Sequence, residues 1–184
     1  MKITNETNDI ASVLYSEAQI KARVEELAAE LTSEYAGKDP IIVCILKGAS
    51  FFYIDLCRAM QCHVFMDFIA VSSYGAGAQS SGVVRIIKDL GKNITDRDVI
   101  IVEDIIDSGL TLKYLVDLFA SRKPRSIQTV CLLDKADRRQ CNVDINYCGF
   151  IIPDEFVVGY GLDYADHYRN LSYIGVLKPE VYQD

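Results

Sequence analysis

The chain has 184 residues, half of them apolar, and 26 acidic side chains against 19 lysines and arginines give a net charge of -7. That length and apolar content fill one core and no more. The acidic balance excludes a general nucleic-acid or membrane-surface binder, which needs a basic face, so any bound phosphate must be held by local features.

The opening "MKITNETNDI" lacks the basic, apolar, small-residue order of a signal peptide. No apolar run approaches the roughly 18 residues that span a bilayer. Cysteines at 44, 57, 62, 131, 141 and 148 form no C-x-x-C pair, and Cys44 and Cys131 lie inside apolar runs. Reduced thiols in a cytoplasmic protein are therefore expected. His63 and His167 are the only histidines and have no zinc-type spacing.

In chain order, "SEAQIKARVEELAAELTSEY" reads as a helix. Ser16 and Gln19 make a capping box, and Ile20, Val24, Leu27, Ala28 and Leu31 share one face. "GKDP" breaks it. "IIVCIL" (41–46) is a short, fully apolar strand, "KGAS" a turn, and "FFYIDLCRAM" a helix. "VFMDFIAV" (64–71) is the next strand. "SSYGAGAQSSG" (72–82) has the small-residue composition of a mobile loop. "VVRIIKDL" resumes strand character, "GKNITDRD" turns, and "VIIVED" is a third apolar strand. "TLKYLVDLFASRK" is a helix ended by Pro124, and "SIQTVCLLDK" a further buried strand. From "YCGFIIP" onward the chain reads as irregular and aromatic-rich, with short strands around "FVVGYG" and "YIGVL".

Continuous apolar strands alternating with helices predict an α/β fold, its sheet mainly parallel and covered on both faces. In such sheets ligands bind beyond the carboxyl ends of the strands. Polar residues collect there: Lys47-Gly48, Ser72-Ser73-Tyr74, Glu103 to Thr111, and Asp134-Lys135.

The most informative stretch is "VIIVEDIIDSGLTL", residues 99–112. Asp107-Ser108-Gly109-Leu110-Thr111 precedes a helix. Gly109 permits close backbone approach, converging N–H groups and the helix N-terminus favour an anion, and two hydroxyls add donors. This describes a one-phosphate cradle, or an ordinary helix cap by Asp107 or Ser108. It is not a Walker loop. The adjacent Glu103 and Asp104 can bind metal, accept hydroxyl protons, or sit solvated. A 5-phosphorylated ribose uses both features at once: hydroxyls for the carboxylates and phosphate for the loop.

That stretch closely resembles the signature of phosphoribosyltransferases that bind phosphoribosyl pyrophosphate. "CILKGASFF" is similar to the family's pyrophosphate loop, "SSYG" to the start of its mobile catalytic loop, and "LLDKADRR" to its purine-contacting segment. "IPDEFVVGYGLDYADHYRNLSYIGVL" resembles the hood of the hypoxanthine-guanine branch. The resemblance runs in order from about residue 41 to 177.

It implies a type I phosphoribosyltransferase fold in one domain, with a core of about 36–150 and a small hood from the N-terminal segment and about 151–184. It implies purine salvage: transfer of the phosphoribosyl group to N9 of hypoxanthine or guanine, giving IMP or GMP and pyrophosphate. It implies Mg2+ as cofactor, phosphoribosyl pyrophosphate and 6-oxopurine bases as partners, a homo-oligomer (dimer or tetramer), and no nucleic acid or membrane.

Residue by residue, the resemblance carries Glu103 and Asp104 to the ribose hydroxyls, directly or through Mg2+. Asp107 faces purine N7 as general acid or base, and Asp107, Ser108, Gly109, Leu110 and Thr111 surround the 5-phosphate. Some relatives carry lysine where this chain has Leu110, which removes a charge but leaves the backbone cradle. Lys47 and Gly48 contact pyrophosphate; the family often has a cis peptide there, and the residues leave the isomer open. Ser73 and Tyr74 close over the reacting atoms. Lys135 donates to the 6-oxo group, Phe156 stacks on the purine, and Val157 presents backbone groups to it. Asp163 binds a second Mg2+, and Arg169 pairs with pyrophosphate. The bland counterparts are a surface lysine, a core aromatic and an Arg169–Asp166 salt bridge. A signalling receiver domain would share the α/β plan but leaves "SSYG" and the hood unexplained. A nucleic-acid-binding relative conflicts with the charge, and a xanthine-preferring enzyme is the nearest rival within the class.

Overall fold

The computed structural model describes residues 6–73 and 84–183. A six-stranded sheet forms the centre. Its strands are β2 (Ile41–Leu46), β3 (Phe65–Ser73), β4 (Val84–Lys88), β5 (Asp98–Ile106), β6 (Ser126–Asp134) and β7 (Tyr147–Ile151), in the order β4-β3-β2-β5-β6-β7. All neighbours run parallel except β4, which pairs antiparallel with β3 at one edge. β7 is a correction to the reading of "YCGFI" as irregular. Its exposure is intermediate along most of its length, so it carries neither a long apolar run nor a clean alternation.

The apolar strands divide between two cores by the two-residue period of a strand. Ile42 and Cys44 of β2 and Ile100 and Val102 of β5 face α1 (Glu17–Tyr35) and α2 (Ser50–Ala59). Ile41, Val43 and Ile45, with Val99 and Ile101, face α3 (Leu110–Ser121). The α1 capping box is present: Gln19 N–H donates to Ser16 Oγ and Ser16 N–H to Gln19 Oε1. The predicted face of Ile20, Val24, Leu27, Ala28 and Leu31 is buried against the sheet. Each such aliphatic side chain contributes about 1.5–3 kcal/mol on burial.

A second, antiparallel sheet of β1 (Ile10–Tyr15), β8 (Val157–Val158) and β9 (Ile174–Leu177) runs in the order β1-β9-β8. It is followed by a one-turn α4 (Pro179–Tyr182). This sheet joins the start of the described chain to its end. Residues 159–169 link β8 back over the carboxyl end of the main sheet, where Gly161 N–H donates to Arg169 O. Among the described residues no helix is long and apolar enough to cross a membrane, and all six cysteines are free.

Candidate active site

The loops leaving β2, β5 and β6 meet at one end of the sheet. Lys135 N–H donates to Ile106 O at 2.9 Å, tying the end of β6 to the end of β5. Residues 156–163 close the space from the other side. The result is a cavity of about 250 Å3 whose lining includes Asp104, Asp107, Lys135, Phe156, Val157 and Asp163. A smaller one of about 110 Å3 adjoins it, formed by Glu103, Asp107, Ser108, Gly109 and Thr111 among others. Asp107 borders both. A larger cleft of about 570 Å3 between α1, α2 and residues 160–172 contains none of the predicted residues.

The loop before α3 is not an ordinary side-chain cap. The N-cap is Gly109 itself, at φ 82°, which has no side chain to cap the helix, and the side-chain contact that this loop makes to the helix end is the long one from Ser108. Left-handed backbone there suits glycine alone at no cost. Leu110 N–H reaches Ser108 Oγ at 3.4 Å. The first turn of α3 thus keeps its partial positive charge beside the small cavity. Leu110 is the first residue of α3 and lines neither cavity.

Glu103 and Asp104 lie within β5, near its carboxyl end, as the strand reading of "VIIVED" has them. Burial raises the Glu103 carboxyl well above its ordinary range, and the Asp104 charge raises it further. Burial likewise pushes Asp104 up to about 6. Glu103 Oε2 is shut off from solvent, and no described residue bonds it. Two buried carboxylates that resist ionisation, with only the more distant Arg169 charge acting on Asp104, suit a hard divalent ion that supplies the missing charge. Among the described residues no three metal-ligating side chains converge. A pair of carboxylates can still hold such an ion when substrate oxygens complete the shell.

Gly48 packs between Asp104 and Gly161; a β-carbon on Gly48 would sit 1.7 Å from Asp104 Oδ2. The cis peptide lies at Leu46–Lys47, one bond before the Lys47–Gly48 bond whose isomer the sequence left open. Lys47 Nζ, largely exposed, is 3.2 Å from Asp166 Oδ1. Arg169 shares that oxygen at 3.2 Å, lies 2.7 Å from Asp163 Oδ1, and donates to Gly161 O. Arg169, then Lys47, hold the Asp166 carboxyl below its usual range. The Arg169–Asp166 salt bridge is therefore real, but it gathers two cations at the cavity mouth rather than excluding a binding role.

Lys135 is buried, with its ammonium 3.6 Å from Asp154 Oδ1. Phe156 stacks on Tyr182 at 4.7 Å and meets Tyr164 edge-on at 5.6 Å. Val157 is buried in β8. Ser73 ends β3, paired with Val84. Tyr74 and most of the predicted closing loop 72–82 lie outside the described residues.

Four residues that the sequence does not single out also reach the site. Arg138 Nε is 3.2 Å from Asp107 Oδ1. Arg139 pairs with Asp134 and lies against Gly109. Cys141, with Gln140, bonds Ser108 O. "LLDKADRR" was marked as a motif for its lysine alone; two consecutive arginines after a strand end were the available signal.

A family model described as the phosphoribosyl transferase domain matches residues 11–165. The hypoxanthine-guanine phosphoribosyltransferase of Bacillus subtilis is 55% identical over 176 residues, covering 96% of this chain and 98% of that protein. The bifunctional protein TilS/HprT of Listeria monocytogenes is 54% identical over 177 residues; the chain spans only 27% of its length. The crystal structure of a hypoxanthine phosphoribosyltransferase from Staphylococcus aureus matches with a TM-score of 0.95 and 49% identity over all of both chains. The chain belongs to the phosphoribosyltransferase family, and its fold is the type I fold of that family.

Proposed function

We propose that this protein serves purine salvage by transferring the phosphoribosyl group of phosphoribosyl pyrophosphate to N9 of hypoxanthine or guanine. The observation that carries the reading is the position of Asp107. It borders a cavity shared with the buried Lys135 and a second one made by a helix N-terminus and two hydroxyls. A base and a phosphate on either side of one carboxylate is the geometry that a nucleoside monophosphate needs.

In this reaction N9 bonds to C1 of the ribose as the C1–O bond breaks and its electron pair leaves on pyrophosphate. The N7–H proton passes to Asp107. The transition state resembles an oxocarbenium ion, as in glycoside hydrolysis, and Glu103 and Asp104 stabilise that charge while accepting hydrogen bonds from the ribose hydroxyls. Ser108, Gly109, Leu110 and Thr111 surround the 5-phosphate, largely through backbone. Lys47, Gly48 and Arg169 hold pyrophosphate, for which the planar guanidinium suits two oxygens at once. Lys135 donates to the 6-oxo atom, Phe156 stacks on the ring, and Val157 offers backbone groups. Ser73 and Tyr74 exclude water from the activated sugar.

Glu103 and Asp104 would hold one Mg2+ and Asp163 a second, and the metal would neutralise charge developing on pyrophosphate. The chain acts as a single unit of core (about 36–150) and hood, cytoplasmic, with no nucleic acid or membrane among its partners. It forms a homo-oligomer, for which the exposed Phe51 and Ile54 of α2 offer apolar surface.

The test is one spectrophotometric assay of the protein with phosphoribosyl pyrophosphate, Mg2+ and four bases. Nucleotide formation from hypoxanthine and guanine supports the proposal. Preference for xanthine moves it to that branch, and no turnover with any 6-oxopurine contradicts it.

A further inference from the structure

We propose that Arg138 is a positioning residue that sets the spacing between the two groups reading the purine edge. The proposal rests on the base-site reading of Asp107 and Lys135. Four side chains of alternating charge form a row: Asp107, Arg138, Asp154 and Lys135. Arg138 Nε is 3.2 Å from Asp107 Oδ1, Arg138 Nη1 donates to Asp154 Oδ1 at 3.2 Å, and Asp154 Oδ1 is 3.6 Å from Lys135 Nζ. The two ends of the row line the 250 Å3 cavity; Arg138 and Asp154 are not part of its wall. The row therefore spans the cavity from behind.

Purine N7 and the 6-oxo atom project from one edge of the base, side by side. Reading both requires Asp107 and Lys135 at a fixed separation. Asp107 sits on the loop after β5 and Lys135 on the loop after β6, and loop side chains need locking from behind to hold such spacing. The Arg138 guanidinium is planar and presents separate donors to two carboxylates. Asp107 Oδ1 is shut off from solvent, ion-paired with Arg138 and without a hydrogen bond from any described residue. That leaves the second oxygen of Asp107 for the N7 proton. At the other end, the buried Lys135 ammonium needs a counter-ion, and Asp154 supplies it. Arg138 and Asp154 are about half exposed, so this row adds little to stability. Its effect is on geometry.

The decisive experiment is a double-mutant cycle of Arg138→Ala and Asp107→Ala, with hypoxanthine varied at saturating phosphoribosyl pyrophosphate. Arg138→Ala alone is expected to lower kcat/KM for hypoxanthine about fivefold, the upper end for a half-exposed ion pair. The dissociation constant of phosphoribosyl pyrophosphate and the melting temperature stay near wild type. In the Asp107→Ala background the same substitution changes kcat/KM by less than about twofold, because its partner is gone. Arg138→Lys restores charge but cannot bridge both carboxylates, so it recovers only part of the loss. Binding of 7-deazahypoxanthine, which has no N7, loses less than binding of hypoxanthine. An undiminished Arg138→Ala single variant, or equal losses in both backgrounds, overturns the positioning role. Unchanged turnover in Asp107→Ala instead overturns the base-site reading beneath it.

Discussion

Gly48 lies against the carboxylate of Asp104 so closely that a β-carbon on Gly48 would stand 1.7 Å from Asp104 Oδ2, while Gly161 presses on the carbonyl of Gly48 from the other side. The loop after β2, the acidic end of β5 and the hood are thus held in one contact that only glycine permits. Gly48→Ala is expected to displace Asp104 and lower kcat/KM for phosphoribosyl pyrophosphate by about 10² or more, since small misplacements of positioning groups have effects of that size. Steady-state kinetics with circular dichroism on the same sample checks this. Full activity in a folded variant would contradict the packing argument.

The carboxylate pair makes a pH prediction. The folded-state value of Asp104 is raised from 3.8 to about 6, and Glu103 is raised as well. Between those values the folded protein binds more protons than the unfolded chain. Stability from these groups is therefore greatest at low pH and is lost as pH rises through about 4 to 6. Glu103→Gln with Asp104→Asn removes the charge and is expected to melt several degrees higher than wild type above pH about 6, with the gap closing toward pH about 4. Melting curves across that range test it; a gap independent of pH would contradict it. By the same linkage, Mg2+ with phosphoribosyl pyrophosphate should bind more tightly as pH rises through this window and release protons, which calorimetry in two buffers reads directly.

Lys135 should make the site reject adenine. Its buried ammonium is a donor, met by an acceptor on hypoxanthine or guanine but by an amino group on adenine. A buried donor facing a donor loses its bond, and discrimination of about 10⁴ or more in kcat/KM follows. Comparable values for adenine and hypoxanthine would remove Lys135 from base recognition.

Tyr182 stacks on Phe156 at an interplanar angle of 23° and Tyr164 meets it edge-on, so in the proposed site Tyr182 supports the ring that would stack on the purine. Aromatic pairs of this kind contribute about 0.5–1.5 kcal/mol. Tyr182→Ala is therefore expected to raise KM for hypoxanthine by about 2–12-fold with little change in kcat. A loss confined to kcat would assign Tyr182 elsewhere.

Much of this architecture was legible in the sequence for identifiable reasons. The runs "IIVCIL" and "VIIVED" are apolar at every position because alternate residues serve two different cores, which is the mark of a strand covered on both faces. The α1 capping box and buried face followed from residue types and spacing alone. The loop 107–111 could be read as a cradle or as a cap, and the structure keeps features of both: Gly109 takes the N-cap position at positive φ while Ser108 Oγ accepts a long bond from Leu110 N–H. β1 escaped notice because "IASVLY" pairs with β9 from the far end of the chain, and most of its residues stay exposed or half-exposed. Arg138 escaped because its importance lies in two partners, 31 positions before it and 16 after. No local pattern records such distances.

The account stands or falls on Asp107. It borders both the small cavity before α3 and the larger one lined by Lys135, and the proposed reaction gives its backbone to the phosphate and its carboxylate to the base. Asp107→Asn keeps the shape but cannot take up the N7 proton. The decisive measurement is kcat and the phosphoribosyl pyrophosphate dissociation constant for this one variant. Turnover is predicted to fall by about 10²–10⁴, the usual span for losing a general acid or base, while binding of the sugar phosphate changes little. Near wild-type turnover, or lost sugar-phosphate binding with unchanged turnover at saturation, would contradict the assignment.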